Sequence, residues 1–228
     1  MVLGAVAIFL ERKITVAGPG SQTPSRKLGY AAMTDHERLT ADFTFPREYH
    51  LFLGGTGDRY FVRDLQNRSV AYLPFTFGGE VRTRSDCWQI QGERPKLTWA
   101  VVAHTVPDGA KAGEITEGLI PDIHKLWISS GSEYRVTRNP LTQVWTISHA
   151  HHRLVRITDA RHFATGRLRS AALSGRQVSS ATIATLDSPA STADLGLPIL
   201  LTLEFIKAQT AADRAAAAGM HNGSTGIY

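Results

Sequence analysis

The chain has 228 residues, of which 43% are apolar and 20% charged, and its formal net charge is +5. That balance excludes an intrinsically disordered chain and fits one large domain or two small ones. The excess of basic residues favours an anionic partner, although a basic surface serves solubility equally well.

The opening "MVLGAVAIFLERK" carries an apolar run from Val2 to Leu10. It lacks a basic stretch before it and a small-residue cleavage site after it, and it is too short to span a bilayer. It reads as neither a signal peptide nor an anchor. The following residues, to about position 40, are rich in Gly, Pro, Ser and Thr with little periodicity. They bury too little apolar surface to offset their ordering entropy, so residues 1–40 are expected to form a poorly ordered extension. Met33, followed by "TDHER", resembles an ordinary protein start, which would make the first 32 residues dispensable.

From Tyr49 the pattern changes to short β-branched and aromatic runs: "YHLFL", "RYFVRDL", "SVAYLPFTF", "EVRTR", "CWQIQ" and "LTWAVVAH". Turn signals separate them, including "GGTGD" at 54–58 and "LQNRS" at 65–69, where Gly and Asn tolerate positive φ. The pattern resumes with "HKLWISS", "EYRVTR", "QVWTISH", "RLVRITD" and "QVSSATIATL". Tyr134 and Val136 share one face, with Arg138 next in line, and Trp145 and Ile147 oppose Val144, Thr146 and Ser148. About a dozen strands fit between Tyr49 and Leu186, a number suited to a closed barrel or a large sandwich. "DRYFVRDLQNRSVAYL" and "SEYRVTRNPLTQVWTI" echo one another and suggest a duplicated sheet unit.

The chain then turns helical. Asp194 stands ready as a cap and Pro198 suits a first turn, where its missing N–H costs nothing. Ile199, Leu200, Leu201, Leu203, Phe205 and Ile206 occupy nearly every angle of the next two turns. A helix apolar all round either spans a membrane or is enclosed by protein. The run from Leu195 to Ile206 includes Glu204 and falls well short of the roughly 20 residues a bilayer needs. Enclosure is therefore expected, with the helix emerging beyond Lys207 and ending near Gly219. The predicted fold is mainly β: a closed antiparallel barrel of about twelve strands over residues 41–210, enclosing a hydrophobic C-terminal helix. Residues 211–228 form the helix end and a tail.

Catalytic motifs are scarce. His149 and His151, within "HAHH" and with His162 further on, would share one side of an extended strand and offer two metal ligands. With no carboxylate or cysteine close by to complete the set, the reading is no metal and no cofactor. "GGTGDR" at 54–59 lacks the Lys-Ser/Thr of a phosphate loop and reads as a hairpin. Cys87, the only cysteine, excludes an intramolecular disulfide and reads as a structural thiol in a reducing, cytoplasmic setting. Ser170, Ser174, Ser179 and Ser180 lie in no nucleophile elbow. An enzyme is not favoured.

The basic stretch is more informative. Arg153, Arg156, Arg161, Arg167, Arg169 and Arg176 fall close together with Asp159 as the only acid among them. The planar guanidinium fork suits bidentate phosphate binding, so these six are the candidate anion-binding residues.

A barrel with a hydrophobic helix placed last resembles the tubby-like superfamily, particularly its phospholipid scramblase and LURP-one-related branch. "YFVRDLQNRSVAYL" (60–73) is similar to that family's opening strand–turn–strand, and "YRVTRNPLTQVWTISHAHHRLVRI" (134–157) to its central meander. "STADLGLPILLTLEFIKAQ" (191–209) is similar to its closing strand-to-helix segment. The resemblance implies a barrel around a central helix, and basic barrel residues that bind phosphoinositide headgroups, as tubby-like domains proper do. The calcium-binding and palmitoylated-cysteine features of scramblases have no counterpart, so lipid transport is not implied. The resulting expectation is a non-enzymatic module binding an anionic membrane lipid or another phosphorylated ligand, cytoplasmic and peripheral to the membrane, with nucleic acid disfavoured. The competing readings are a structural or protein-interaction domain of the same fold, and a barrel metalloenzyme built on the histidine cluster.

Overall fold

The computed structural model describes residues 38–54, 57–93, 99–118, 120, 122–160, 179–186 and 195–222, with side chains in the final helix described to Ala212. These residues belong to one compact unit, Thr34–Tyr228. The expected N-terminal extension lies outside the described residues as far as position 37. Leu39 and Thr40 already pair with the body: Leu39 bridges to Ser69, and the Thr40 N–H donates to the Ser69 carbonyl at 2.8 Å.

Among the described residues the β-branched and aromatic runs form twelve strands. The first six are β1 (Arg47–Leu53), β2 (Arg59–Asp64), β3 (Ser69–Pro74), β4 (Gly79–Thr83), β5 (Cys87–Glu93) and β6 (Ala100–Thr105). They continue as β7 (Lys111–Thr116), β8 (Ile123–Ile128), β9 (Glu133–Arg138), β10 (Trp145–His149), β11 (His152–Thr158) and β12 (Ser179–Thr185). Each pairs antiparallel with its neighbours in the chain, and β12 closes onto β1. Closure removes every free sheet edge, which suits a chain built from short apolar strands.

Two-residue alternation puts Leu126, Tyr134, Val136, Trp145 and Ile147 inside the barrel, as the sequence pattern requires. The turns follow from local chemistry. Asn67 takes φ 60° between β2 and β3, and buried Asp64 accepts the N–H groups of Gln66 (3.0 Å) and Arg68 (2.9 Å). Because successive strands run in opposite directions, the β2–β3 and β9–β10 turns lie at opposite ends of the barrel. The two hairpins whose sequences echo one another thus point to opposite ends of the barrel.

Among the described residues the register shifts at four places, each passing over one residue: Val70, Ala112, Leu154 and Ser180. Such bulges bend and twist a strand locally, which helps a sheet to close.

The helix Gly196–Asn222 runs through the barrel and continues past the expected end near Gly219. Every residue from Leu195 to Lys207 is buried, while Ala211 and Ala212 are exposed. So apolar a helix is accommodated because the barrel wall covers all its faces. Gly113 on β7 permits the close approach, since a Cβ there would lie 2.8 Å from Ile128 Cδ1 and 3.1 Å from Leu201 Cδ1. Phe205 packs among Trp99 (ring centroids 5.5 Å apart), His124 (4.6 Å) and Trp145 (6.2 Å).

The helix is also pinned by charge. Lys207 Nζ donates to the carbonyls of Pro74 (2.6 Å) and Thr76 (3.0 Å) and to Glu204 Oε1 (2.6 Å). Glu204 Oε2 accepts the Gly78 N–H at 3.2 Å. Both side chains are essentially solvent-free, at 1% and 0% exposure. Burial pushes the Glu204 carboxyl up and the Lys207 ammonium down, and each is opposed by the other's charge. Among the described residues no helix is long and apolar enough to cross a membrane.

Candidate anion-binding groove

The outward face of β9, β10 and β11 brings together polar residues that lie apart in the chain. Cross-strand register aligns Arg135, Ser148 and Arg153 in one row, and Thr137, Thr146 and Arg156 in the next. Adjacent strands lie about 4.8 Å apart, so each row spans about 10 Å of wall. Arg135, Arg153 and Arg156 are all exposed. Among the described residues, no acid forms an ion pair with any of the three.

A groove of about 840 Å³ runs over this face, and Arg153, Arg156, Arg138 and the hydroxyls of Thr137, Thr146 and Ser148 line it. Guanidinium groups beside hydroxyl donors are a suitable lining for phosphate oxygens, which accept several hydrogen bonds each.

The bulge at Leu154 makes this face possible. In a regular strand, positions 153 and 156 point to opposite sides. Here Ser148 pairs with Arg153 and Ile147 with Val155, leaving Leu154 over. Leu154 and Val155 are both fully buried, and the Leu154 carbonyl accepts the Leu186 N–H at 2.8 Å. The extra residue returns Arg156 to the side that Arg153 occupies.

The groove's upper border is the β9–β10 loop. Asn139 Oδ1 accepts the N–H groups of Leu141 (3.0 Å) and Thr142 (3.1 Å), and Gln143 takes φ 57°. Arg138, which the alternation places on the inward face, sits at the barrel mouth. Its Nε donates to Gln143 Oε1 at 3.0 Å, and its guanidinium lies 5.6 Å from the Trp145 ring centre. There it borders a second cavity of about 150 Å³ with Gln143, Trp145, Ile206, Gln209 and Thr210.

The other sequence candidates fare differently. Arg161, Arg167, Arg169 and Arg176, together with His162, Ser170 and Ser174, lie outside the described residues. His149 and His151 do not share an extended strand, contrary to expectation. Ala150, at φ 52°, and His151 form the turn between β10 and β11, and the His149 Nδ1–H donates to the Glu133 carbonyl at 2.9 Å. Among the described residues no three His, Cys, Asp or Glu side chains are grouped to hold a metal. Cys87 is half-buried on β5, where burial and neighbouring Glu80 push its thiol up, away from the thiolate a nucleophile needs. Ser180 is buried and donates to the Leu51 carbonyl.

Arg135 and the three hydroxyl residues escape a linear reading because only register brings them to the arginines. Their alternation in "YRVTR" and "VWTIS" carries the signal once β9 and β10 are known to pair.

No family model, curated protein or solved structure matches this chain.

Proposed function

We propose that this chain is a non-enzymatic, tubby-like barrel module that binds anionic phospholipid through the outward face of β9–β11. The observation that carries the reading is the pair of exposed arginines, Arg153 and Arg156, brought onto one face by a bulge and set beside three hydroxyl groups in one groove. A closed barrel around a C-terminal helix is also the arrangement that the resemblance to tubby-like proteins implies. Arg135 extends the positive row toward β8, where Lys125 stands opposite it.

The same phosphate chemistry serves a lipid headgroup or a free phosphorylated ligand. Titration calorimetry separates the two sources. Heat on adding vesicles of phosphatidylcholine and phosphatidylserine, with none on adding glycerophosphoserine or inositol hexakisphosphate, supports the membrane surface. Saturable binding of inositol hexakisphosphate at comparable affinity assigns the groove to a soluble ligand instead. No heat with any of them sinks both forms of the proposal.

A further inference from the structure

We infer that the β9–β10 loop anchors the barrel in the bilayer by inserting Leu141, with Ile120 on the neighbouring loop as a second contact. The inference rests on the lipid reading above and adds how the wall would seat. Leu141 is 92% exposed and Ile120 63% exposed. Single exposed apolar residues are ordinary on soluble proteins. Three observations set this pair apart.

The first is position. The β7–β8 and β9–β10 loops lie at the same end of an antiparallel meander, and the N–H of Arg138, the last residue of β9, donates to the Asp122 carbonyl of the β7–β8 loop at 2.9 Å. The second is continuity. Pro140 and Leu141 line the same groove as Arg153 and Arg156, so an apolar tip and two cations border one surface. That is the pairing an anionic bilayer selects, with cations among the headgroups and the aliphatic side chain at the acyl boundary. The third is rigidity. Asn139 holds the Leu141 and Thr142 N–H groups, its own N–H donates to the Val144 carbonyl at 2.8 Å, and the Gln143 N–H donates back to the Asn139 carbonyl at 2.8 Å. Leu141 is thus held outward before binding, which reduces the ordering cost of insertion.

The helix leaves the barrel at this same end, since Gln209 and Thr210 border the mouth cavity beside Arg138. Contact is therefore through the β9–β11 wall and its Leu141 edge, with the barrel axis lying along the membrane rather than upright on it.

The test uses the full chain and vesicles of phosphatidylcholine with 30% phosphatidylserine (about that proportion; vesicle binding is set by charge density and apolar burial together). Leu141→Ser and Ile120→Ser combined should weaken vesicle binding about tenfold or more, the effect of losing one well-buried aliphatic side chain. Because both residues are exposed, the variant retains the wild-type fold, which circular dichroism checks. An environment-sensitive dye on Leu141→Cys, in a Cys87→Ser background, should shift to the blue when vesicles are added. Unchanged binding by the double serine variant, together with no dye shift, overturns the anchor. If Arg153→Ser with Arg156→Ser still releases the vesicles, the groove reading survives that result. No binding by the wild-type chain overturns both.

Discussion

Arg153 and Arg156 face the same side of β11 because Leu154 between them has no partner on β10. With Leu154 in the chain, the candidate site depends on the bulge that absorbs it. Deleting Leu154 would make Arg153, Val155 and Arg156 consecutive, restoring plain alternation opposite Ser148, Ile147 and Thr146 with both arginines still outward. It would also remove a buried side chain, so the deletion is expected to destabilise the barrel by several kcal/mol, on the order of a large core truncation. Leu154→Val keeps the bulge and should cost only about 1 kcal/mol while leaving vesicle binding intact. Urea denaturation with a parallel binding assay distinguishes the two. A Leu154 deletion as stable as wild type would show that the bulge is not structurally required.

The enclosed helix makes a sharper demand on stability. Leu201→Ala and Phe205→Ala should each cost about 2–5 kcal/mol through lost burial and the cavity left behind. Leu201→Asp buries an unpaired charge and should abolish folding. Gly113→Ala attacks the same contact from the wall and should cost about 1–3 kcal/mol, because a methyl there collides with Ile128 and Leu201. Thermal melts of the four variants check the series. A soluble, folded Leu201→Asp protein is incompatible with a helix inside the barrel.

The Glu204–Lys207 pair joins the helix to the β3–β4 segment. Lys207→Met strands a carboxylate in the core and should destabilise by about 3–5 kcal/mol. Adding Glu204→Leu to that variant removes the orphaned charge and should recover much of the loss. A double-mutant cycle in urea measures the coupling. Equal stability of the single and double variants would show that the pair is energetically independent.

His124 gives the fold an acid sensitivity. It is buried against Phe205 and Trp145, and its Nδ1 accepts the Gly118 N–H at 3.5 Å. Burial pulls its pKa down to about 4, with Asp122 acting upward and Arg138 downward. The unfolded chain takes up this proton near pH 6.5, and the folded chain only near pH 4. Between those values the unfolded state binds more protons, so stability falls as the pH falls through that window. The loss amounts to about 3 kcal/mol at one site. His124→Phe should flatten the curve there; an unchanged slope between pH 6.5 and 4 would assign the sensitivity to other groups.

Much of the architecture was legible in the sequence because its signals are local. Alternation in "EYRVTR" and "QVWTISH", the Asn67 turn, and a helix apolar on every face each follow from a few adjacent residues. The site was legible only in part. Arg153 and Arg156 stand out as charges, whereas Arg135, Thr137, Thr146 and Ser148 join them only through register, which depends on residues far along the chain. The bulge at Leu154 is set by pairing to both β10 and β12, and no local pattern marks it. Glu204 was visible as an argument against a membrane span, but its partnership with Lys207 needs the helix to be enclosed before it has meaning. His149 and His151 part company because the turn at Ala150 breaks the alternation between them.

The central claim, that the β9–β11 wall binds anionic lipid, is tested most directly by vesicle co-sedimentation of wild type against Arg153→Ser with Arg156→Ser. Each arginine near an anionic surface contributes about 1 kcal/mol, so the double variant should bind about thirtyfold more weakly at 0.1 M salt or so. Wild-type retention should itself collapse toward 1 M salt, where the Debye length falls from about 10 Å to about 3 Å. Vesicles of phosphatidylcholine alone should retain neither protein. Equal retention of both proteins on anionic vesicles, or retention that ignores salt and lipid charge, would contradict the account.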